Sequence, residues 1–358
     1  MPAPAPIDVR ATNGGYRIVV EPGATRRVSA TLSTHAIARD ALVVSSPRVW
    51  KAIGARFTRT TPILVPDGER AKTLATVSRV YDALLDRGAD RGTTVVAVGG
   101  GVLGDMVGFA AATYLRGIRL VHVPTTVMAQ VDSAIGGKVG VNHTRGKNLI
   151  GAFYPPALVL VDPEALLTLS KREFRAGLYE VIKYGLIADR SLLSLLEAEL
   201  DAVLSQRGDA VAEMVRRCCR IKADVVSADE HERGLRRILN FGHTLGHALE
   251  SSTGYGRLRH GEAVGLGMRA ALALGVARGV TPVAIAERAT VLLDRLGRLP
   301  DVSDVTIAAA LDAASRDKKV VNGRLHFVLI DEAGATTAAD VTRRELTAAL
   351  AVVGVRAR

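Results

Sequence analysis

A chain of 358 residues is too long for one ordinary hydrophobic core and comfortable for two domains. Its 48% hydrophobic and 23% charged content reads as soluble and globular, and Arg269 breaks the long apolar run AVGLGMRAALALGVA, so no membrane partner is expected. Lys and Arg number 47 against 36 Asp and Glu, a net charge of +11, but aromatics reach only 4% and no run of five or six basic residues occurs; this argues against a nucleic-acid partner and for a small polyanion gripped by single cations.

The start, MPAPAPIDVRATNGG, lacks a basic stretch followed by an apolar one, so no secretory leader is expected and the chain is expected in the cytoplasm. Strand-like runs follow at 16–20 (YRIVV), 41–45, 62–65, 94–98 (TVVAV), 119–123 and 157–161, with helical segments such as ERAKTLATVSRVYDALLDRG between them. That alternation predicts βαβ units and a mostly parallel sheet. Gly99, Gly100 and Gly101 close the fourth run before a helical stretch. Glycines that tolerate positive φ and admit backbone amides to an anion, ahead of a helix N-terminus, suit a pyrophosphate; an ordinary tight turn reads equally well. The spacing departs from G-x-G-x-x-G, so a standard Rossmann dehydrogenase is not expected. Two further glycine loops carry lysines, GGK ending at Lys138 and GKN with Lys147 and Asn148.

After about residue 165 the pattern turns helical, at 171–187, 191–204, 208–228, 240–252, 260–278, 282–297 and 303–316, with one late strand candidate at 325–330. The proline-bearing YPPALVLVDPEAL places the boundary, giving an α/β domain over 1–165 and a helical domain over 166–358. Cys218 and Cys219 are neighbours on a helix and point about 100° apart, which suits inert packing rather than a disulfide or shared metal. His243 and His247 stand at i and i+4, with Glu250 a turn further on, and His260 opens another helix; Glu180 and Lys183 share a face at i and i+3. Two imidazoles and a carboxylate with an open position are a catalytic zinc pattern, and spacing alone makes His247 one of the ligands.

The runs GGGVLGDMVGFAAATYLRG, VPTTVMAQVDSAIGGKVGVNHTRGKNLIGAFY, GLYEVIKYGLI, LNFGHTLGHALE, HGEAVGLGM and RDKKV, in order over roughly residues 60 to 330, resemble the 3-dehydroquinate synthase family. The resemblance implies a Rossmann-like, doubly wound NAD domain followed by an all-helical metal-binding domain, with the active site in the cleft between them. It implies loss of phosphate from 3-deoxy-D-arabino-heptulosonate 7-phosphate and closure to 3-dehydroquinate, NAD taking and returning a hydride within one turnover. Glu180, His243 and His260 match the family's ligands for Zn2+ or Co2+, and His247 falls to a proton relay, against the spacing argument.

The cofactor positions match Asp67, Gly68, Glu69, Arg70, Ala71 and Lys72; Gly101, Val102, Leu103, Gly104 and Asp105; Thr125 and Thr126; Lys138 and Lys147; and Ala165, Leu166, Leu167 and Thr168. Lys138, Asn148, Lys183, Lys222, Arg236 and Lys318 are expected on the substrate's phosphate and carboxylate, with Lys147 beside them and Asp132 on a hydroxyl. Arg116 resembles an arginine lent to a neighbouring subunit, which implies a homodimer. Where the family often ends a strand in Asp or Asn at the adenosine ribose, this chain has Ser45, Ser46 and Pro47. A sister cyclase acting on sedoheptulose 7-phosphate or glucose 6-phosphate, and a metal-dependent polyol dehydrogenase, are the rival readings. The second leaves the GGK and GKN lysines idle.

Overall fold

The computed structural model describes residues 5–12, 14–37, 41–57, 60–315, 320–321 and 324–356. It divides into two compact units, Met1–Ser170 with Ser205–His231, and Lys171–Leu204 with Glu232–Arg358.

The first unit contains, in chain order, β1 (Ile7–Val9), β2 (Tyr16–Val20), α1 (Val28–Thr34), β3 (Leu42–Ser45), α2 (Pro47–Ile53), β4 (Ile63–Leu64), α3 (Leu74–Asp86), β5 (Thr94–Gly99), α4 (Gly101–Thr113), β6 (Arg119–Pro124), β7 (Lys138–His143), β8 (Gly146–Phe153) and β9 (Leu158–Val161). The chain then makes α5 (Lys171–Ile187) and α6 (Arg190–Leu204) of the second unit and returns to the first with α7 (Gly208–Ala228). Seven strands form one sheet in the order β1-β2-β9-β6-β5-β3-β4, parallel except for the β1–β2 pair. All six expected strands are present.

The side-chain alternation of β5 explains the double winding. Val95 and Ala97 face one core with Val77, Val80 and Leu84 of α3 and Leu103 and Met106 of α4, while Val96 and Val98 face the other with Val28 and Leu32 of α1 and Ile53 of α2. Both faces are covered, so the strand reads as a continuous apolar run. Thr73 starts α3 by accepting a hydrogen bond from the Thr76 amide.

The lysine-bearing glycine loops prove to be a β-hairpin, β7 against β8, so Lys138 is the first residue of a strand rather than a loop residue. The glycines that suggest a loop serve the ladder: Gly140 pairs with Gly151, and a Cβ on either would lie 2.5 or 2.4 Å from the partner strand's carbonyl oxygen. The hairpin lies against α4, where a Cβ on Gly108 would come within 2.4 Å of Val139 Cγ1.

The second unit adds α8 (His243–Ser252), α9 (His260–Ala277), α10 (Val283–Arg295), α11 (Ile307–Ser315), β10 (Val320–Val321), β11 (Arg324–Leu325), β12 (Phe327–Ile330), β13 (Ala335–Ala338) and α12 (Arg343–Val352). It is mostly helical, which corrects the all-helical expectation: the late strand candidate exists as β12, buried throughout, and pairs with β13, whose sequence ATTA carries too little apolar signal to announce itself. The boundary expected at 165 also moves, and α7 belongs to the first unit. Composition marks α7 as amphipathic without saying where its apolar face packs. In the structure Arg216 donates to the Val20 carbonyl (2.6 Å) and the Cys219 thiol to the Gln130 carbonyl (3.3 Å). Both cysteines are buried there, and burial pushes the Cys219 thiol up to about 12, in keeping with inert packing. Among the described residues no helix is long and apolar enough to cross a membrane.

Candidate active site

In the first unit β5 runs into α4 through Gly99, Gly100 and Gly101, and none of the three has positive φ, contrary to the expectation from sequence. Glycine is needed there for close approach: a Cβ on Gly101 would lie 2.7 Å from Ser133 Oγ, and one on Gly100 3.2 Å from Thr126 Cγ2. Gly100 is the extended N-cap of α4 and no side chain caps the helix, so the amides of its first turn remain to be matched. The Thr125 amide donates to the Gly99 carbonyl (2.9 Å) and Thr126 Oγ1 accepts from the Ala129 amide (3.1 Å), which fixes the neighbouring strand end. This cradle of amides, closed to any added Cβ, fits the pyrophosphate of a dinucleotide.

Around it the 67–72 segment, where the resemblance implies cofactor positions, meets the hairpin. Lys72 is 4% exposed, with Nζ 2.5 Å from both Asp105 Oδ2 and Asn148 Oδ1, and Lys147 Nζ is 3.5 Å from Glu69 Oε1. Burial raises the Asp105 carboxyl above its ordinary range, opposed by the Lys72 ammonium. Gly136 and Gly137 take φ of 106° and 64°, a left-handed turn that only glycine adopts without cost, and deliver exposed Lys138 at the start of β7. Lys222 of α7 pairs with Asp132 at 2.6 Å. Arg116 is exposed in a turn at φ 66°, and residues 165–168 belong to a short 3-10 helix, Pro163–Thr168, that Asp162 caps.

The serines at the end of β3 have structural work. Ser45 Oγ donates to the Val98 carbonyl (2.8 Å), while Ser46 caps α2 and its Oγ donates to Asp67 Oδ2 (3.3 Å). A carboxylate does stand near this strand end, supplied by Asp67 from the next loop instead of by β3 itself.

In the second unit α5, α8 and α9 cross without a full side-chain layer between them. A Cβ on Gly261 would lie 1.7 Å from the Ala176 carbonyl oxygen, and one on Gly267 1.9 Å from that of Gly242. The crossings draw Glu180, His243 and His260 together: Glu180 Oε1 is 3.4 Å from His243 Nε2 and 3.7 Å from His260 Nε2. Glu180 is fully buried, Lys183, itself 1% exposed, pairs with its Oε2, and Oε1 has no hydrogen-bond partner.

His243 Nδ1 is 3.1 Å from the Phe241 carbonyl and His260 Nδ1 is 3.3 Å from Glu250 Oε2. Carbonyls and carboxylates only accept, so Nδ1 donates in both contacts, and with a cation beside Glu180 each Nε2 would serve as a lone-pair donor to it. A buried carboxylate oxygen, Oε1, without a hydrogen-bond partner and facing two such nitrogens fits a divalent cation. Ligand atoms of His243, His247 and His260 also lie within 4.8 Å of one another, so His247, which spacing alone makes a ligand, stands beside the histidines that the resemblance implies. Glu250, noted from its spacing but given no role, orients His260. Its place on the face of α8 that carries His243 and His247 was the available signal. Arg236 is buried, 2% exposed, in a 3-10 helix leading to α8, and Lys318 lies outside the described residues.

A doubly wound sheet with an amide cradle, and a helical unit with a carboxylate–imidazole cluster, make the chain a dinucleotide- and metal-dependent enzyme in build. Sequence models of the N-terminal and C-terminal parts of 3-dehydroquinate synthase match residues 62–176 and 177–320. The chain is 46% identical over 347 residues to a 3-dehydroquinate synthase of Nostoc punctiforme, covering 93% of this chain and 95% of that one. It superposes with a TM-score of 0.87 on 2-epi-5-epi-valiolone synthase from Streptomyces hygroscopicus subsp. jinggangensis, a structure with NAD+ and Zn2+ bound, at 31% identity over 96% of this chain and 98% of that one. The TM-score is 0.82 on a 2-deoxy-scyllo-inosose synthase complexed with carbaglucose-6-phosphate, NAD+ and Co2+, at 26% identity over 97% and 99%. The chain belongs to the 3-dehydroquinate synthase family.

Proposed function

We infer that this chain converts 3-deoxy-D-arabino-heptulosonate 7-phosphate to 3-dehydroquinate and phosphate, with NAD and a divalent metal, as a step toward aromatic amino acids. The observation that carries the metal-dependent chemistry is the buried Glu180 carboxylate facing the Nε2 atoms of His243 and His260. Identity of 46% to a curated 3-dehydroquinate synthase, against 31% to the valiolone synthase, favours the heptulosonate over the substrates of sister cyclases.

When bound, NAD would accept a hydride from a carbinol C–H and later return it, and the metal would acidify the hydroxyl on that carbon. The amides at the start of α4 and the 67–72 segment hold the dinucleotide, and Glu180, His243 and His260 hold the metal. Lys138, Lys147, Asn148, Lys183, Lys222, Arg236 and Lys318 grip phosphate and carboxylate; Asp132, paired with Lys222, orients a hydroxyl. His247, half-buried beside the two ligating rings, relays a proton at its imidazole. Ring closure then needs mainly a held conformation. Arg116, exposed in its left-handed turn, serves a second copy in a homodimer, and the enzyme works in the cytoplasm.

The test is purified chain with the heptulosonate phosphate, zinc and catalytic NAD, following phosphate and carbocycle together. Phosphate should appear continuously with no steady rise in NADH absorbance. Turnover of sedoheptulose 7-phosphate or glucose 6-phosphate in its place would assign a sister cyclase, and NADH accumulating one for one with product would assign a polyol dehydrogenase.

A further inference from the structure

Asn142 interrupts the hairpin. The register of β7 against β8 shifts between Val141, opposite Ile150, and His143, opposite Gly146, so the extra residues are on β8, and Asn142, the one β7 residue across from Lys147, Asn148 and Leu149, is left out of the regular pairing. Its amide donates to the Lys72 carbonyl (2.8 Å). Its side chain works in two directions: Nδ2 donates to Glu69 Oε1 (2.7 Å) and to the Glu69 carbonyl (3.3 Å), and Oδ1 accepts from the Asn148 amide (2.9 Å). Asn148 has φ of 52°, a left-handed conformation unusual for a residue with a Cβ, and its side chain closes the circuit by accepting from Lys72 Nζ.

We propose that Asn142 is a positioning residue that locks the 67–72 segment and the Lys147–Asn148 turn into one preorganised frame, so that the cofactor groups and the substrate groups are set by a single side chain. This rests on the functional reading above. Through Nδ2 it fixes Glu69 and with it the path of the chain to Lys72; through Oδ1 it holds Asn148 in the strained turn that aims Lys147 and the Asn148 amide. A break in register that releases one side chain from the ladder toward a neighbouring loop is a geometric device, and here both ends of the device reach residues proposed to bind ligand.

The two directions can be separated. Asn142→Asp keeps the acceptor toward Asn148 but loses both donations to Glu69 and sets two carboxylates against each other; Asn142→Ala loses all three side-chain contacts and keeps only the backbone donation to Lys72. The dissociation constant for NAD, measured by direct titration without substrate, should rise about tenfold in both variants. The KM for the heptulosonate phosphate should rise several-fold in Asn142→Ala and stay near the parent's in Asn142→Asp. Melting temperatures should fall only slightly, since Asn142 is half-exposed. Unchanged NAD binding in both variants overturns the proposal, as does an equal change of both constants in the two variants accompanied by a matching loss of melting temperature, which is the mark of a merely structural asparagine. A parent chain that binds no NAD at all would instead bring down the functional reading, and the frame with it.

Discussion

In the first unit the groups proposed for a dinucleotide are mostly backbone amides around Gly99–Gly101, where no Cβ fits between α4 and Ser133; in the second unit the groups proposed for a cation are side chains, Glu180, His243 and His260. Glycine serves both, in opposite senses. At Gly101 its absent side chain leaves room at a helix end, whereas at Gly261 and Gly267 it removes the packing layer between helices so that the side chains of three of them can converge. Histidine differs as sharply. His122 on β6 is 5% exposed, and burial alone pulls its titration down to about 4, while His243 and His260 each have Nδ1 tied to an acceptor and Nε2 aimed at a carboxylate. One unit thus buries an imidazole in its sheet, and the other aims its imidazoles at a carboxylate.

If that division is real, the two sets fail independently. His260→Ala should abolish stoichiometric zinc and lower turnover by at least about a thousandfold, while its far-UV circular dichroism and its NAD titration match the parent. Metal analysis with near-normal metal and activity would remove His260 from the ligand set, and a lost NAD titration would break the separation.

The second test concerns the packed imidazole. Its folded-state value is depressed from 6.5 to about 4, so between those limits the unfolded chain binds a proton that the folded chain does not, and stability falls as pH drops through that window. Above pH 6.5 both states are neutral and the group contributes no slope. The accumulated loss by pH 4 is roughly 3 kcal/mol. His122→Gln, which cannot titrate, should flatten the fall in urea-unfolding free energy between pH 6.5 and 4. An unchanged slope would show that His122 is protonated in the fold.

Legibility followed the same division. The valine-rich strands and the periodic helices are readable because burial on both faces, or on one stripe, leaves its mark on the sequence, and the His243/His247 spacing by itself points to a cluster. Spacing could not choose among imidazoles, because the choice depends on Glu180 from another helix and on which nitrogen Phe241 and Glu250 occupy. The hairpin was hidden because its paired glycines carry turn chemistry for a ladder reason, and the position of α7 because an amphipathic face does not name its partner. Ser45 and Ser46 look like a missing ribose ligand only until Asp67 is seen to reach the same strand end.

The smallest effect tests how the side-chain site is tuned. Glu250 is 6% exposed and accepts from His260 Nδ1, which fixes the ring and makes Nε2 a better donor to a cation. Glu250→Gln keeps an acceptor oxygen at nearly the same place but removes the charge, so His260 should still ligate, less tightly. Zinc affinity, read by competition with a chromophoric chelator, should fall about tenfold, and Glu250→Ala should lie nearer a hundredfold. The cobalt-substituted protein gives a readout independent of turnover, since a tilted ring changes the visible absorption of a tetrahedral site. NAD titration should be untouched in both variants, because Glu250 belongs to the unit that binds by side chains. Affinity and spectrum identical to the parent in the alanine variant would show that packing alone orients His260, and that the 3.3 Å contact follows from the helix crossing without contributing to the metal site.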